Sequence, residues 1–352
     1  MLLSILAFVF AHLTSPLAAS GDLTQALAPA DTVEVTANHY RIYRSDGTPA
    51  TMDDIRAAIK KVDVVFVGEQ HDDPVSHFME QRVLEAMYDT YGNAAALSME
   101  MFSRDVQYIV DEYLAGLITD SHFQLSSSPW TNYPQDYKPL VDFAKDKRLA
   151  VIAANAPRRY ANRVTRNGRN SLYDLSDQAL TYVAPLPYGA SSAKYTEQWN
   201  KVMSDAMASM QPATPVVTEE KGEMKHDMKA DAPPPPPPPP APAAPSSGQH
   251  GGDTMLDAQT LWDATMAWSI AEHLARRPGS KVVHMVGGFH SETGTGTPEH
   301  LVQYRPGTRF MVITMKTTND ITVFNNEEHA GMGDFVILGD ESLPRTYGTR
   351  TR

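Results

Sequence analysis

Val62-Asp63-Val64-Val65-Phe66-Val67 runs straight into Gly68-Glu69-Gln70-His71. The same design returns as Lys281-Val282-Val283-His284-Met285-Val286 followed by Gly287-Gly288-Phe289-His290. Runs with apolar residues at both odd and even positions read as strands buried on both faces, which is the pattern of a parallel sheet. Glycine lets the chain leave each strand sharply, and a histidine follows three residues later, in the loop beyond the strand's carboxyl end. Two imidazoles delivered to one edge of one sheet can converge on one ligand.

Working outward, further strand-like runs are Ala94–Met99, Leu149–Ala154, Phe310–Met315 and Phe335–Leu338. Between them lie helical patterns with apolar residues at three- and four-residue spacing. In the first, Val75, Phe78, Met79, Val83, Ala86 and Met87 form one stripe, with Asp73 as N-cap and Pro74 at the first helical position. Another runs from about Thr254 to Arg276 and stops before Pro278-Gly279. Alternating strand and helix predicts an α/β fold: a mostly parallel sheet flanked by helices.

Composition divides the chain further. Residues 156–210 lack a clear strand and read as a helical lid. Residues 211–253 contain eight consecutive prolines, Pro233–Pro240, within an Ala/Pro/Ser/Gly-rich and charged stretch. Such a segment cannot bury enough apolar surface to offset its ordering entropy, so it is expected to be a disordered insertion. The α/β domain is therefore expected in two parts, 61–155 and 254–340, after an N-terminal segment 21–60 and before a tail 341–352.

The formal charge of −12 and a pI near 5.4 argue against a nucleic-acid partner. With no cysteine among the 352 residues, disulfides, zinc–thiolate sites and thiol nucleophiles are excluded, as is lipid anchoring through an N-terminal Cys. Leu2–Leu13 is apolar apart from Ser4 and His12 but too short to span a bilayer, and Ala18-Ala19-Ser20 resembles a cleavage site. Residues 1–20 thus read as a signal peptide, although the usual basic residue near the start is missing. The expected location is periplasmic or secreted.

In open parallel sheets, ligands bind outside the carboxyl ends of the strands. Glu69 and His71 stand there after the first strand, Glu100 after the second, Asn155 after the third, and His290 after the strand at 281–286. A buried Glu at a strand end is often a structural acceptor and Asn155 before Ala156-Pro157 can simply cap a turn; it is the convergence that points to function.

Several words along the chain resemble one family in order: Val67-Gly68-Glu69-Gln70-His71 with His77, Ser98-Met99-Glu100-Met101-Phe102, and Tyr137-Lys138-Pro139-Leu140. Asn155-Ala156-Pro157-Arg158, Asp263-Ala264-Thr265-Met266-Ala267 and Gly287-Gly288-Phe289-His290 with Gly294-Thr295-Gly296-Thr297-Pro298 follow. They look like the ChaN-like haem-binding uptake family, part of a group that includes Tiki metalloproteases and erythromycin-esterase-like proteins. The resemblance implies an α/β domain with a smaller helical domain, a haem ligand serving iron uptake, and a homodimer able to hold haems face to face. On this reading the protein is a haem binder rather than an enzyme, and His71, His77, Glu100, Asn155, Arg158, Tyr195 and His290 are the ligand-binding candidates.

Haem iron takes His, Tyr or Met as axial donor, and the lid supplies Tyr160, Tyr173, Tyr182, Tyr188 and Tyr195, with Trp199 nearby. Tyr195 is the tyrosine singled out among them, while Arg158 and Arg159 could pair with propionates. The alternative is a Tiki-like metal-dependent hydrolase, in which His71, His290 and Glu69 hold a divalent metal ion and Glu69 or Glu100 activates water. A third possibility is a non-catalytic protein docked on an envelope partner through its Pro-rich segment.

Overall fold

The structure, a computed structural model, describes residues 34–210 and 250–346. The expected signal peptide, the Pro-rich segment up to residue 249 and the tail from 347 lie outside the described residues.

Eight strands form one sheet: β1 (Tyr40–Arg44), β2 (Pro49–Ala50), β3 (Val64–Glu69), β4 (Ala95–Ser103), β5 (Ala150–Asn155), β6 (Lys281–Gly287), β7 (Phe310–Thr318) and β8 (Phe335–Asp340). Their order is β2-β1-β8-β7-β3-β6-β4-β5. All pairs from β8 to β5 are parallel, and β1 is antiparallel to both β2 and β8. The α/β architecture and the six parallel strands agree with the sequence reading. The β1–β2 hairpin extends the sheet from a segment that gave no strand signal.

β3 shows why the sheet is sandwiched. Val65 and Val67 enter a core with Val83 and Met87 of the helix Pro74–Tyr91, whereas Val64 and Phe66 enter a second core with Met266 and Ile270 of the helix His250–Arg276. Each such side chain contributes about 1.5–3 kcal/mol on burial. The first strand starts two residues later than expected because Asp63 is used as a staple. Its carboxylate takes Lys281 Nζ at 2.6 Å and the Arg309 backbone N–H at 3.0 Å, tying the feet of β3, β6 and β7 together.

Within residues 156–210, helices Arg158–Asn167 and Ala193–Met210 flank shorter turns. Ala161, Val164, Leu172 and Tyr188 pack on Leu261 and Ala264 of the helix His250–Arg276, which begins four residues before the expected Thr254. Among the described residues, no helix is long and apolar enough to cross a membrane.

The strand order fixes where the site forms. β3 and β6 are neighbours, yet the chain leaves β3 for β4 on one side and leaves β6 for β7 on the other. Adjacent strands whose connections run in opposite directions over opposite faces of the sheet open a crevice at their carboxyl ends. His71 follows β3 and His290 follows β6, so both motifs empty into that crevice.

Candidate functional site

Glu69 ends β3 with its side chain fully buried, while the His71 side chain is 43% exposed. His71 Nδ1 lies 2.7 Å from Glu69 Oε1, and the Tyr137 hydroxyl donates to the same oxygen at 2.7 Å. The Trp130 ring meets the His71 imidazole edge to face at 4.8 Å. Asp73 caps the following helix by accepting from Ser76 N–H at 2.8 Å, with Pro74 in the first turn. That start brings His77 back beneath the loop, its Nε2 3.2 Å from the His71 carbonyl, which also accepts from Asn132 Nδ2 at 2.7 Å. Behind it, His77 Nδ1 lies 3.0 Å from Glu80 Oε2 and 3.2 Å from Glu69 Oε2.

The electrostatics of this arm are those of carboxyls kept from water. Burial, reinforced by Glu80, pushes Glu69 up to about 7, and burial likewise pushes Glu80 up to about 8. For His71, burial acts to lower the pKa, but the hydrogen bond to Glu69 and the charges of Glu100 and Glu69 outweigh it and raise it.

The second arm is closed. His290 is 7% exposed, and its Nδ1 lies 2.9 Å from Asp263 Oδ1. Asp263, fully buried, also accepts from the Thr297 hydroxyl at 2.8 Å and from the Tyr195 hydroxyl. Burial opposes the charge on His290, yet Asp263 and Glu100 push its pKa up to about 9. Its Nε2 lies 3.8 Å from Glu100 Oε1 and 3.1 Å from the Gln259 side-chain nitrogen. An imidazolium there needs the Gln259 amide turned to present its oxygen, since two donors cannot face each other. Glu100 is held by the Gly287 N–H, which donates to its Oε2 at 2.7 Å.

The glycines of the two motifs serve the contact between arms. Gly287 has an ordinary φ of −56°, so no turn requires it. A Cβ there would stand 2.8 Å from His71 Cε1 and 3.5 Å from Glu100 Oε2. On the other arm, a Cβ at Gly68 would meet Ser291 Oγ at 2.7 Å. The glycine pair thus lets the loops touch, rather than letting the chain turn as the sequence suggested.

The structure brings Glu69, His71, His77, Glu100 and His290 to one edge. Asn155 ends β5 nearby in sequence terms, but its Oδ1 is used on the Ala156 N–H at 2.8 Å, a turn cap. Arg158 is exposed at the start of its helix, and Arg159 pairs with Asp105 at 2.5 Å. Tyr195 is fully buried with its hydroxyl engaged by Asp263, and burial, with Asp263, raises its pKa well above the ordinary value. Among the other lid tyrosines, Tyr188 is buried and donates to the Asp257 carbonyl at 3.1 Å, whereas Tyr173 is exposed. Residues the sequence reading gave no role include Asp263, Glu80, Tyr137, Asn132 and Trp130. For Glu80 and Asp263 the signal was present, since each is a carboxylate inside a helix's buried stripe.

Comparison with known proteins matches the chain to a family. Residues 55–301 match the family described as "Haem-binding uptake, Tiki superfamily, ChaN". Among solved structures, ChaN of Campylobacter jejuni, described as binding heme cofacially, aligns with a TM-score of 0.60 at 14% identity, covering 86% of this chain and 98% of that one. An erythromycin esterase, EreC, aligns with a TM-score of 0.41 at 9% identity over 79% of this chain and 77% of its own. The first likeness shows the shared fold, and the second is too distant to carry an argument. No curated protein sequence matches the chain. The family match spans most of the chain and includes both glycine–histidine arms, so this protein belongs to the ChaN haem-binding uptake family of the Tiki superfamily.

Proposed function

We propose that this protein binds haem at the carboxyl edge of its sheet and serves haem or iron uptake outside the cytoplasm, with His71 as the residue that would hold the iron. One observation carries the reading. His71 is the half-exposed imidazole of the site, and Glu69 Oε1 holds its Nδ1 at 2.7 Å, leaving Nε2 without a protein partner among the described residues. A carboxylate on one ring nitrogen fixes the tautomer, points the other nitrogen outward and raises its basicity, which suits it to iron. Bound haem would supply the iron and the macrocycle. The chain's own groups would orient the imidazole (Glu69, Tyr137), pack its ring (Trp130) and set its charge (Glu100). Tyr195 on this reading is a positioning residue that holds Asp263, and Arg158, exposed on its helix, is available to a propionate.

The half-exposed placement of His71 would let a macrocycle be shared between two copies of the chain, in keeping with the cofacial heme binding described for the Campylobacter protein. A hydrolase would instead need His71 and His290 to share a cation. Among the described residues, the group of three side chains whose donor atoms fall within 4.8 Å of one another is Glu69, His77 and Glu80, which includes neither His71 nor His290. The haem reading is therefore preferred.

The test is a hemin titration followed by absorbance. A saturable, shifted Soret band in the wild type that is lost in His71→Ala supports the proposal. An unaltered band in His71→Ala would remove His71 as donor, and no saturable binding at micromolar hemin would end the haem reading.

A further inference from the structure

Behind the exposed imidazole lies a second group of side chains that the haem reading does not use. We propose that Glu69, His77 and Glu80 form a buried site for one divalent first-row transition cation, distinct from the open edge at His71.

The argument begins with the His77 tautomer. Its Nε2 lies 3.2 Å from the His71 carbonyl, and a carbonyl oxygen only accepts, so Nε2 carries a proton. In the neutral ring, Nδ1 then presents a lone pair. That lone pair faces Glu80 Oε2 at 3.0 Å and Glu69 Oε2 at 3.2 Å. Three electron-rich atoms thus surround one point.

One proton between Nδ1 and Glu80 Oε2, whether it sits on the ring or on the carboxyl, cannot satisfy them all. It serves Glu80 Oε2, and Glu69 Oε2 is left with no hydrogen-bond donor although it is fully buried; Glu80 Oε1 is orphaned as well. Unpartnered buried carboxylate oxygens are costly, so an arrangement that leaves two of them calls for a missing positive partner. Among the described residues, none of the hydrogen bonds or ion pairs of these three side chains goes to a lysine or arginine.

The spacing fits a small cation. First-row divalent ions hold N and O ligands at about 2.0–2.2 Å, which sets neighbouring donors roughly 3–3.5 Å apart. His77 and Glu80 stand at i and i+3 on one face of the helix Pro74–Tyr91, and Glu69 closes the set from the end of β3, all within 4.8 Å. One nitrogen with two carboxylates favours ions such as zinc, cobalt or manganese over calcium, which takes oxygen ligands in larger number. The other Glu69 oxygen would stay on His71 and Tyr137, so the cation would brace the carboxylate that orients the exposed ring.

The test measures metal without hemin, so its outcome is separate from that of the haem reading. Protein is stripped by a chelator under mild denaturant, refolded with cobalt(II) or zinc(II), desalted and analysed by elemental mass spectrometry, with cobalt absorbance as a second readout. The expected result is about one equivalent per chain in the wild type and in His290→Ala, and loss of at least about tenfold in occupancy in Glu80→Gln and His77→Ala. Glu80→Gln keeps the shape of the neutral acid, so it decides the matter even if His77→Ala does not fold; its thermal transition confirms folding. No stoichiometric binding by the wild type overturns the proposal. So does retention of the metal by folded Glu80→Gln, or its loss in folded His290→Ala.

Discussion

The two glycine–histidine arms share a spelling and differ in surroundings. His71 is 43% exposed and rests on Glu69, whereas His290 is 7% exposed and rests on Asp263. In both, a carboxylate fixes Nδ1 and Nε2 is left toward the crevice, but only the first arm opens to solvent. Motifs of one outline at neighbouring strand ends thus sit in different surroundings. On the proposed reading, one would present a donor and the other would set charge and shape beside it.

Removing the anchor of the closed arm should have the largest effect. Asp263→Ala leaves His290, Tyr195 and Thr297 without their common acceptor in a dry site, which costs about 3–5 kcal/mol of stability, read as the urea midpoint. A loss below about 1 kcal/mol would show that the closed arm is not held as described. On the open arm, His71→Ala should leave stability nearly unchanged and weaken hemin binding by at least about 100-fold, roughly 2.7 kcal/mol. Equal effects from His71→Ala and His290→Ala would erase the distinction between arms.

Tyr195→Phe sharpens the contrast. It strips one donor from Asp263 and should cost about 1–3 kcal/mol, while the Soret shift survives. Loss of the band in a folded Tyr195→Phe protein would make that tyrosine the iron donor instead.

Acidity should separate the arms again. Since the His71 pKa is raised, protons compete with iron for its Nε2 below that value. Hemin affinity should fall roughly tenfold per pH unit on the acid side and level off on the alkaline side. For His290, the folded pKa of about 9 exceeds the free value of 6.5, so the folded state holds the extra proton. Its contribution is fully present below about 6.5 and is lost as pH rises through about 9. The melting temperature should fall by a few °C across that window, and His290→Ala should remove this part of the slope.

The sheet was largely legible in the sequence because β3 and β6 are apolar on both parities, a pattern that only a doubly covered strand needs. β1 was not. Tyr40–Arg44 is short, and its outward charges mimic a loop. For the site, residues at strand ends could be read directly, since topology alone puts Glu69, His71, Glu100 and His290 on one edge. Tyr137 and Asn132 could not. They arrive through a π-turn at Tyr133–Tyr137 whose position depends on how Tyr133 and Phe123 pack, and such long-range packing leaves no local period. Glu80 and Asp263 sit between these cases, visible as misplaced charges but silent about their partners.

The first arm is also latched by the segment that follows β8. Thr346 donates its backbone N–H to the Asp72 carbonyl at 3.1 Å and its hydroxyl to Asp136 at 3.0 Å, and Arg345 grips Asp72 at 2.8 Å, 273 residues away in sequence. These contacts join residues far apart in sequence, so the loop carrying His71 is held by tertiary structure and not by its local sequence alone. A chain cut short before Arg345 would keep its sheet and hold the donor loosely. The orientation of the His71 loop is therefore set from two places in the chain, its own strand end and the segment after β8.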